Sequence, residues 1–139
     1  MSAYRTNRKV RFEDCDPAGI VFYPRYFEML NGAIEDWFAR VLGTSFHEMH
    51  FERGIGVPTV QLSAEFFSPS TLGDELTIRI IPTHVGRTSC AYDALFTANG
   101  RDRLKASATL VCMQLEMQKS VPWPDDIRLR MMDELAMAS

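Results

Sequence analysis

The chemistry in this chain gathers in one stretch, Glu13-Asp14-Cys15-Asp16-Pro17-Ala18-Gly19-Ile20-Val21-Phe22-Tyr23-Pro24-Arg25-Tyr26. Two aspartates stand two residues apart, ahead of a Pro-Ala-Gly turn and four bulky side chains. A second proline, Pro24, then opens a helical pattern. Helix starts present unpaired backbone N–H groups and the positive end of the macrodipole. A carboxylate beside such donors suits acyl chemistry, because one group attacks or directs water while the other stabilises an oxyanion. Asp16 is the first candidate. Aspartate before proline is also a common turn former that bonds its own backbone. The apolar neighbours Ile20, Val21, Phe22 and Tyr23 tip the balance toward chemistry, since a dry setting strengthens any hydrogen bond the carboxylate makes. Asp14 reads as an exposed or capping acid before a second catalytic one. Cys15 adjoins both acids but falls on the opposite face of an extended segment, which makes it a packing residue.

Other chemistries find little support. No Gly-x-Ser-x-Gly elbow is present, and neither Gly-x-Gly-x-x-Gly nor Gly-x-x-x-x-Gly-Lys occurs. His47 and His50 sit three apart, yet no third metal ligand accompanies them, so they read as surface or packing residues. Arg53, Arg87, Arg101, Arg103 and Lys105 could grip the phosphates of a coenzyme tail through charge-assisted bonds. Taken singly, each is more simply a solvated surface charge.

The elements that must hold Asp16 follow from periodicity. Thr6 to Phe12 alternates as a first strand with Val10 and Phe12 on one face. Continued parity would carry Asp14 and Asp16 inward on that same face. Pro17 keeps Asp16 extended, and Gly19 lets the backbone reverse. From Pro24 to Leu42 a broad apolar sector (Tyr26, Phe27, Leu30, Ala33, Ile34, Trp37, Phe38, Val41) faces a narrow polar stripe, the mark of a helix wrapped by protein. Pro24 suits the first helical position. Tyr23 before it is no side-chain cap, so free N–H donors are expected there. Gly43 stops the helix.

Ser45-Phe46-His47-Glu48 is a capping-box pattern for a short second helix ending near Gly54. Strands follow at Thr59–Phe67, with Val60, Leu62, Ala64 and Phe66 on one side, then at Glu75–His84, Thr88–Ala98 and Arg103–Met117. Asn99-Gly100 is a hairpin signal. Asp125 to Met137 reads as a terminal helix. The order defines an α+β fold, a sheet of about five antiparallel strands curled around one helix. One helix cannot cover both faces of such a sheet, and its edge strands need protection, so a homodimer at least is expected.

Composition sets the outer limits. The 139 residues are expected to form a single domain over 1–139 with one core. Hydrophobic residues make up 46% and charged residues 24%, ordinary globular values that exclude disorder. A net charge of −3 without long runs of one sign argues against a nucleic-acid partner. No apolar run approaches the ~18 residues that span a membrane. Met1 to Val10 is basic and polar and leads into no signal region, so a cytoplasmic protein is expected. Cys15, Cys90 and Cys112 are odd in number and far apart, which suits reduced thiols.

Asp14-Cys15-Asp16-Pro17-Ala18-Gly19-Ile20-Val21-Phe22-Tyr23-Pro24-x-Tyr26 resembles the signature of the 4-hydroxybenzoyl-CoA thioesterase family of hot-dog-fold proteins. Ala64-Glu65-Phe66-Phe67-Ser68-Pro69, then Gly73-Asp74-Glu75-Leu76 and Gly86-Arg87-Thr88-Ser89, are similar to further stretches of that family. The resemblance covers nearly the whole chain. It implies a long helix wrapped by an antiparallel sheet, dimers that often pair into tetramers, and hydrolysis of acyl-CoA thioesters. Asp16 would be nucleophile or general base, and the Tyr23 N–H would polarise the thioester carbonyl. Pro17, Gly19, Ile20, Val21, Tyr26, Asn31 and Arg87 would bind substrate. No metal and no bound cofactor are expected, since CoA arrives as part of the substrate. The branch of the family tied to the Tol-Pal envelope system has His at the position of Tyr23, which favours the hydroxybenzoyl-like branch. Asn31 stands where that branch is expected to carry an acid reading the phenol, so the acyl group stays open. A binding module for acyl-CoA or acyl-carrier protein is the alternative on the same fold. Hydratase chemistry is disfavoured because no Asp-x-x-x-x-His pattern is found.

Overall fold

The computed structural model describes residues 4–138. The fold is α+β, built on α1 (Pro24–Trp37), whose Tyr26, Met29, Leu30, Ala33, Ile34 and Trp37 are all buried at helical spacing. The helix continues through Phe38–Leu42 as a π-helical turn and stops at Gly43, whose φ of +82° is the left-handed geometry that favours glycine. The expected extent of Pro24 to Leu42 holds, but the winding changes at Phe38. α2 (Phe46–Glu48) follows, its first turn capped by Ser45 Oγ, which accepts from the Glu48 N–H at 3.0 Å.

The strands are β1 (Tyr4–Lys9), β2 (Ile55–Gly56), β3 (Thr59–Phe66), β4 (Glu75–Val85), β5 (Ser89–Ala98), β6 (Arg101–Val111), β7 (Met113–Gln114) and β8 (Lys119–Ser120). Five of them form one antiparallel sheet in the order β1-β4-β5-β6-β3, and β2-β7-β8 form a small second sheet. Alternation turns Leu76, Ile78 and Ile80, then Tyr92, Ala94 and Phe96, then Leu104, Ala106 and Ala108 to the core. Tyr26 of α1 meets Phe96 edge to face at 5.6 Å. The terminal helix α3 (Asp125–Ala138) packs on β4 and adds Ile127 and Met131 to the same core. Asn99 and Gly100 both have positive φ, 51° and 72°, as the tight β5–β6 hairpin requires.

Two expectations need correction. β1 ends at Lys9, and Phe12–Asp14 curls into a 3₁₀ turn. Asp14 causes this, because its carboxylate takes the Arg11 N–H at 2.8 Å and both Arg8 guanidinium nitrogens at 3.1 and 3.2 Å. Strand parity is therefore lost: Asp14 is buried while Phe12 is 82% exposed. The last long strand stops at Val111 rather than Met117, since Met113 turns away to pair with Gly56. β3 forms close to its expected extent and is an edge strand, with Val60, Leu62 and Phe66 61%, 45% and 52% exposed.

Candidate active site

Beyond the Asp14 turn the chain folds into a narrow hairpin. Cys15 pairs with Val21, the Asp16 N–H donates to Ile20 O at 2.9 Å, and the Gly19 N–H donates to Asp16 O at 2.9 Å. Gly19 closes the turn at φ +83°, the left-handed position that follows a turn in short hairpin loops. The Phe22 N–H donates to Asp14 O at 2.9 Å and shuts the base of the hairpin. A buried, doubly paired aspartate thus anchors the loop that carries the second one.

Asp16 is half-buried. Its Oδ1 accepts the Ala18 N–H at 2.9 Å, while Oδ2 has no hydrogen-bond partner among the described residues. The turn-forming bond therefore uses one oxygen, which fixes the carboxylate, and leaves the other open. At the helix start, Tyr23 makes no side-chain cap, and its backbone is already helical at φ −53°, ψ −35°. The Arg25 N–H donates to Phe22 O and the Tyr26 N–H to Tyr23 O, but the Tyr23 N–H has no partner among the described residues. It is the open donor that the uncapped start predicts.

The hairpin leans on the loop between β3 and β4. Ile20 pairs with Thr71, and the Val21 N–H donates to Ser70 O at 2.9 Å. Asp16, Pro17 and Gly19 line a cleft of about 480 Å³ with Phe12, Cys15 and Leu72. Ile20, Val21, Tyr23 and Tyr26 line a second of about 300 Å³ with Phe66, Phe67, Ser68 and Pro69. Within one chain neither cleft is lined by both Asp16 and Tyr23. Asn31, two helical turns on, opens instead onto clefts of about 490 and 200 Å³, the smaller shared with Phe27, Leu30, Thr59, Leu62 and Tyr92. Arg87 sits in the β4–β5 turn. The length of β4, about 30 Å, separates it from the Thr71 end of the sheet. One chain places Asp16, Pro17 and Gly19 in one cleft and Ile20, Val21, Tyr23 and Tyr26 in the other, and leaves Asn31 and Arg87 outside both.

The other candidates resolve by their partners. Arg53 pairs with Asp126 at 2.8 Å and Glu48 at 3.7 Å, and the hydrogen bond to Asp126 raises Arg53 and lowers Asp126. Arg103 is buried against Asp74, so it cannot serve a phosphate as a free surface cation. Lys105 stands 4.0 Å from Asp93. His47 packs on Phe51, and His50 Nδ1 lies 2.6 Å from Phe46 O. No group of three or more metal-type ligands exists among the described residues. Burial pushes the Cys90 thiol up to about 12 and Cys112 to about 11, which leaves neither a ready thiolate.

Sequence reasoning passed over Phe12, Leu72, Phe66 and Phe67 as walls of these clefts, and Ser70 beneath them. The family-like stretches Ala64 to Pro69 and Gly73 to Leu76 flank that loop, but likeness of sequence says nothing about what the loop supports.

A long helix held against a five-stranded antiparallel sheet, with an aspartate hairpin feeding the helix start, defines the hot-dog class. The chain belongs to the thioesterase-like superfamily, whose model matches residues 10–131, and is a hydrolase of the thioesterase class. It is 29% identical over 121 residues to the 1,4-dihydroxy-2-naphthoyl-CoA hydrolase of Thermosynechococcus vestitus, covering 86% of this chain and 82% of that one. It is 38% identical over 72 residues to the 4-hydroxybenzoyl-CoA thioesterase of Pseudomonas sp. strain CBS-3, 51% of each chain. The solved structure of that Pseudomonas enzyme superposes with a TM-score of 0.84 at 26% identity, covering 91% of this chain and 97% of that one.

Proposed function

We propose that the chain hydrolyses an acyl-CoA thioester, aryl or short-to-medium in its acyl group, to the free acid and CoA. The observation that carries this reading is the Oδ2 of Asp16 on a hydrogen-bonded turn, seven residues ahead of the Tyr23 N–H, both without partners among the described residues. The Tyr23 N–H, at the positive end of α1, receives the carbonyl oxygen as negative charge grows on it. Asp16 then acts by one of two routes. As nucleophile, Oδ2 bonds to the carbonyl carbon, the C–S bond breaks, CoA thiolate leaves, and water opens the mixed anhydride. As general base, Oδ2 takes a proton from water while the oxygen of that water attacks and the same C–S bond breaks. CoA enters as part of the substrate, and no metal or resident cofactor is invoked.

Pro17, Gly19, Ile20, Val21 and Tyr26 shape the walls at the reacting centre, and Asn31 offers an amide that can donate to or accept from a ring substituent. The aryl preference draws on the relatives, whose named substrates are hydroxylated aryl thioesters. Arg87 is the candidate for CoA phosphates. Its distance from Asp16, and that of Asn31, favour a site completed by a second copy of the chain, in a homodimer or a tetramer of paired dimers. The unpaired edge of β3 with its exposed Val60, Leu62 and Phe66 supports the same reading.

Hydrolysis is tested by loss of thioester absorbance over benzoyl-, hydroxybenzoyl-, phenylacetyl- and straight-chain acyl-CoAs. Asp16→Asn is expected to lose about 10²–10⁴-fold in kcat, the contribution of a positioned acid or base, while unfolding like the wild type. Wild-type turnover in that variant removes Asp16 from the chemistry. Binding of CoA esters without turnover of any of them replaces the enzyme by a binding module.

A further inference from the structure

A buried polar chain runs from the core to the hairpin that carries Asp16. Arg103, on β6, is 6% exposed, and its Nη1 donates to Pro69 O at 2.8 Å, to Asp74 Oδ2 at 2.8 Å and to Ser70 Oγ at 3.3 Å. Its Nη2 donates to Ala98 O at 3.1 Å. Ser70, fully buried, accepts from the Tyr26 hydroxyl at 2.9 Å. Asp74 Oδ2 also takes the Thr71 N–H at 2.9 Å. One guanidinium therefore fixes three successive parts of the β3–β4 loop, and α1 is tied to that loop through Tyr26. The loop's free edge is what the hairpin rests on, through Val21 N–H to Ser70 O and the Ile20–Thr71 pairing.

A buried charge pair costs more in lost hydration than its attraction commonly returns, so a hydrophobic set of equal volume would serve stability as well. What the guanidinium adds is direction. Its planar fork meets several acceptors at fixed angles, which an apolar contact cannot do. We propose that Arg103, acting through Ser70 and Asp74, is a positioning residue for the hydrolysis: it holds the 69–74 loop so that the hairpin keeps Asp16 in register with the start of α1. The inference rests on the reading of Asp16 as the reacting carboxylate, and it assigns a role to a cation buried well away from solvent.

The test compares wild type with Arg103→Lys, Ser70→Ala and Asp16→Asn on a turned-over aryl-CoA, together with amide hydrogen exchange of the folded proteins. Arg103→Lys keeps the charge but offers a point donor in place of the fork, and Ser70→Ala changes a single atom, so at least one is expected to stay folded. Each is expected to lower kcat about tenfold or more with KM within about twofold, because a shift of even 1 Å at the reacting group can cost 10²-fold. Exchange at the Val21 and Asp16 amides is expected to speed up about tenfold, while the amides of Ala94 and Ala106 at the sheet centre stay unchanged. Wild-type kcat and unchanged exchange at Val21 in a folded variant overturn the proposal, even if its melting point drops, because a merely structural pair would lower only the latter. Failure of the underlying chemistry is distinguishable. Wild-type turnover in Asp16→Asn overturns the role of Asp16, whereas an inactive Asp16→Asn beside fully active Arg103→Lys and Ser70→Ala overturns the network alone.

Discussion

Three aspartates divide the work at this end of the molecule by the donors they hold. Asp14 takes two guanidinium nitrogens and a backbone N–H and is spent on structure. Asp16 gives one oxygen to Ala18 and keeps the other. Asp74 gathers the Thr71 N–H and hydroxyl and the Arg103 guanidinium on a single oxygen. The Thr71 backbone bond, then Arg103, hold the Asp74 carboxyl below its usual range against the opposing effect of burial. A carboxylate whose folded pKa is depressed adds stability above its unfolded pKa of about 3.9, and that contribution drains away as pH falls through the folded value. Urea unfolding of wild type and Asp74→Asn should therefore show a stability gap that is full near pH 6 and narrows below about pH 4. A gap independent of pH would show that Asp74 acts through shape and not through charge.

At the scale of elements, the hairpin depends on one backbone conformation. Gly19 sits at φ +83°, and an added Cβ would meet nothing within 4 Å, so Gly19→Ala isolates backbone strain from crowding. The cost should be about 1–2 kcal/mol, the penalty of a left-handed residue that carries a Cβ, read as a shift in the denaturation midpoint. A cost near zero would mean that the turn changes type at no expense. Elements with strong local signals are legible in the sequence. The Pro24 start, the Gly43 stop and the Asn99-Gly100 turn each follow from dihedral limits that a residue carries with it. What escaped was set by particular side-chain and strand partners and not by the dihedral limits of single residues. β1 breaks at Lys9 because Arg8 and Asp14 find each other, β6 ends where Met113 pairs with Gly56, and Arg103 is buried because Asp74 and three acceptors await it. The open donor at Tyr23 was readable from the lack of a capping side chain. The two clefts flanking the hairpin were not, since their walls come from the 66–72 loop.

At the scale of the molecule, the sheet has two edges, and the two differ. β1 is short and strongly polar, with Arg5, Asn7 and Lys9 exposed, which are the residues that discourage edge pairing. β3 presents Val60 and Leu62 beside Phe66, with Phe67, Phe22 and Tyr23 nearby at 50%, 46% and 60% exposure. A second copy joined along β3 is expected, so wild type should sediment as a dimer or a multiple of it. Leu62→Lys should shift that equilibrium toward monomer and lower turnover in parallel. A monomeric wild type with full activity would end the shared-site reading.

The strand order also governs how the candidate site comes into being. β4, β5 and β6 form a meander of adjacent hairpins, whereas β1 pairs with β4 only after a separation from Lys9 to Glu75. Loop-closure entropy rises by about 0.6 kcal/mol for each doubling of loop length. The sheet centre therefore assembles from short, cheap closures, and the hairpin bearing Asp16 is seated by a longer one, from Val21 to Ser70. Asp16 thus sits on a unit closed at greater entropic cost than the meander, so it is expected to open first. Opening of the hairpin ahead of the meander is the expected consequence, read as faster amide exchange at Val21 and Asp16 than at Ala94 and Ala106 in the wild type.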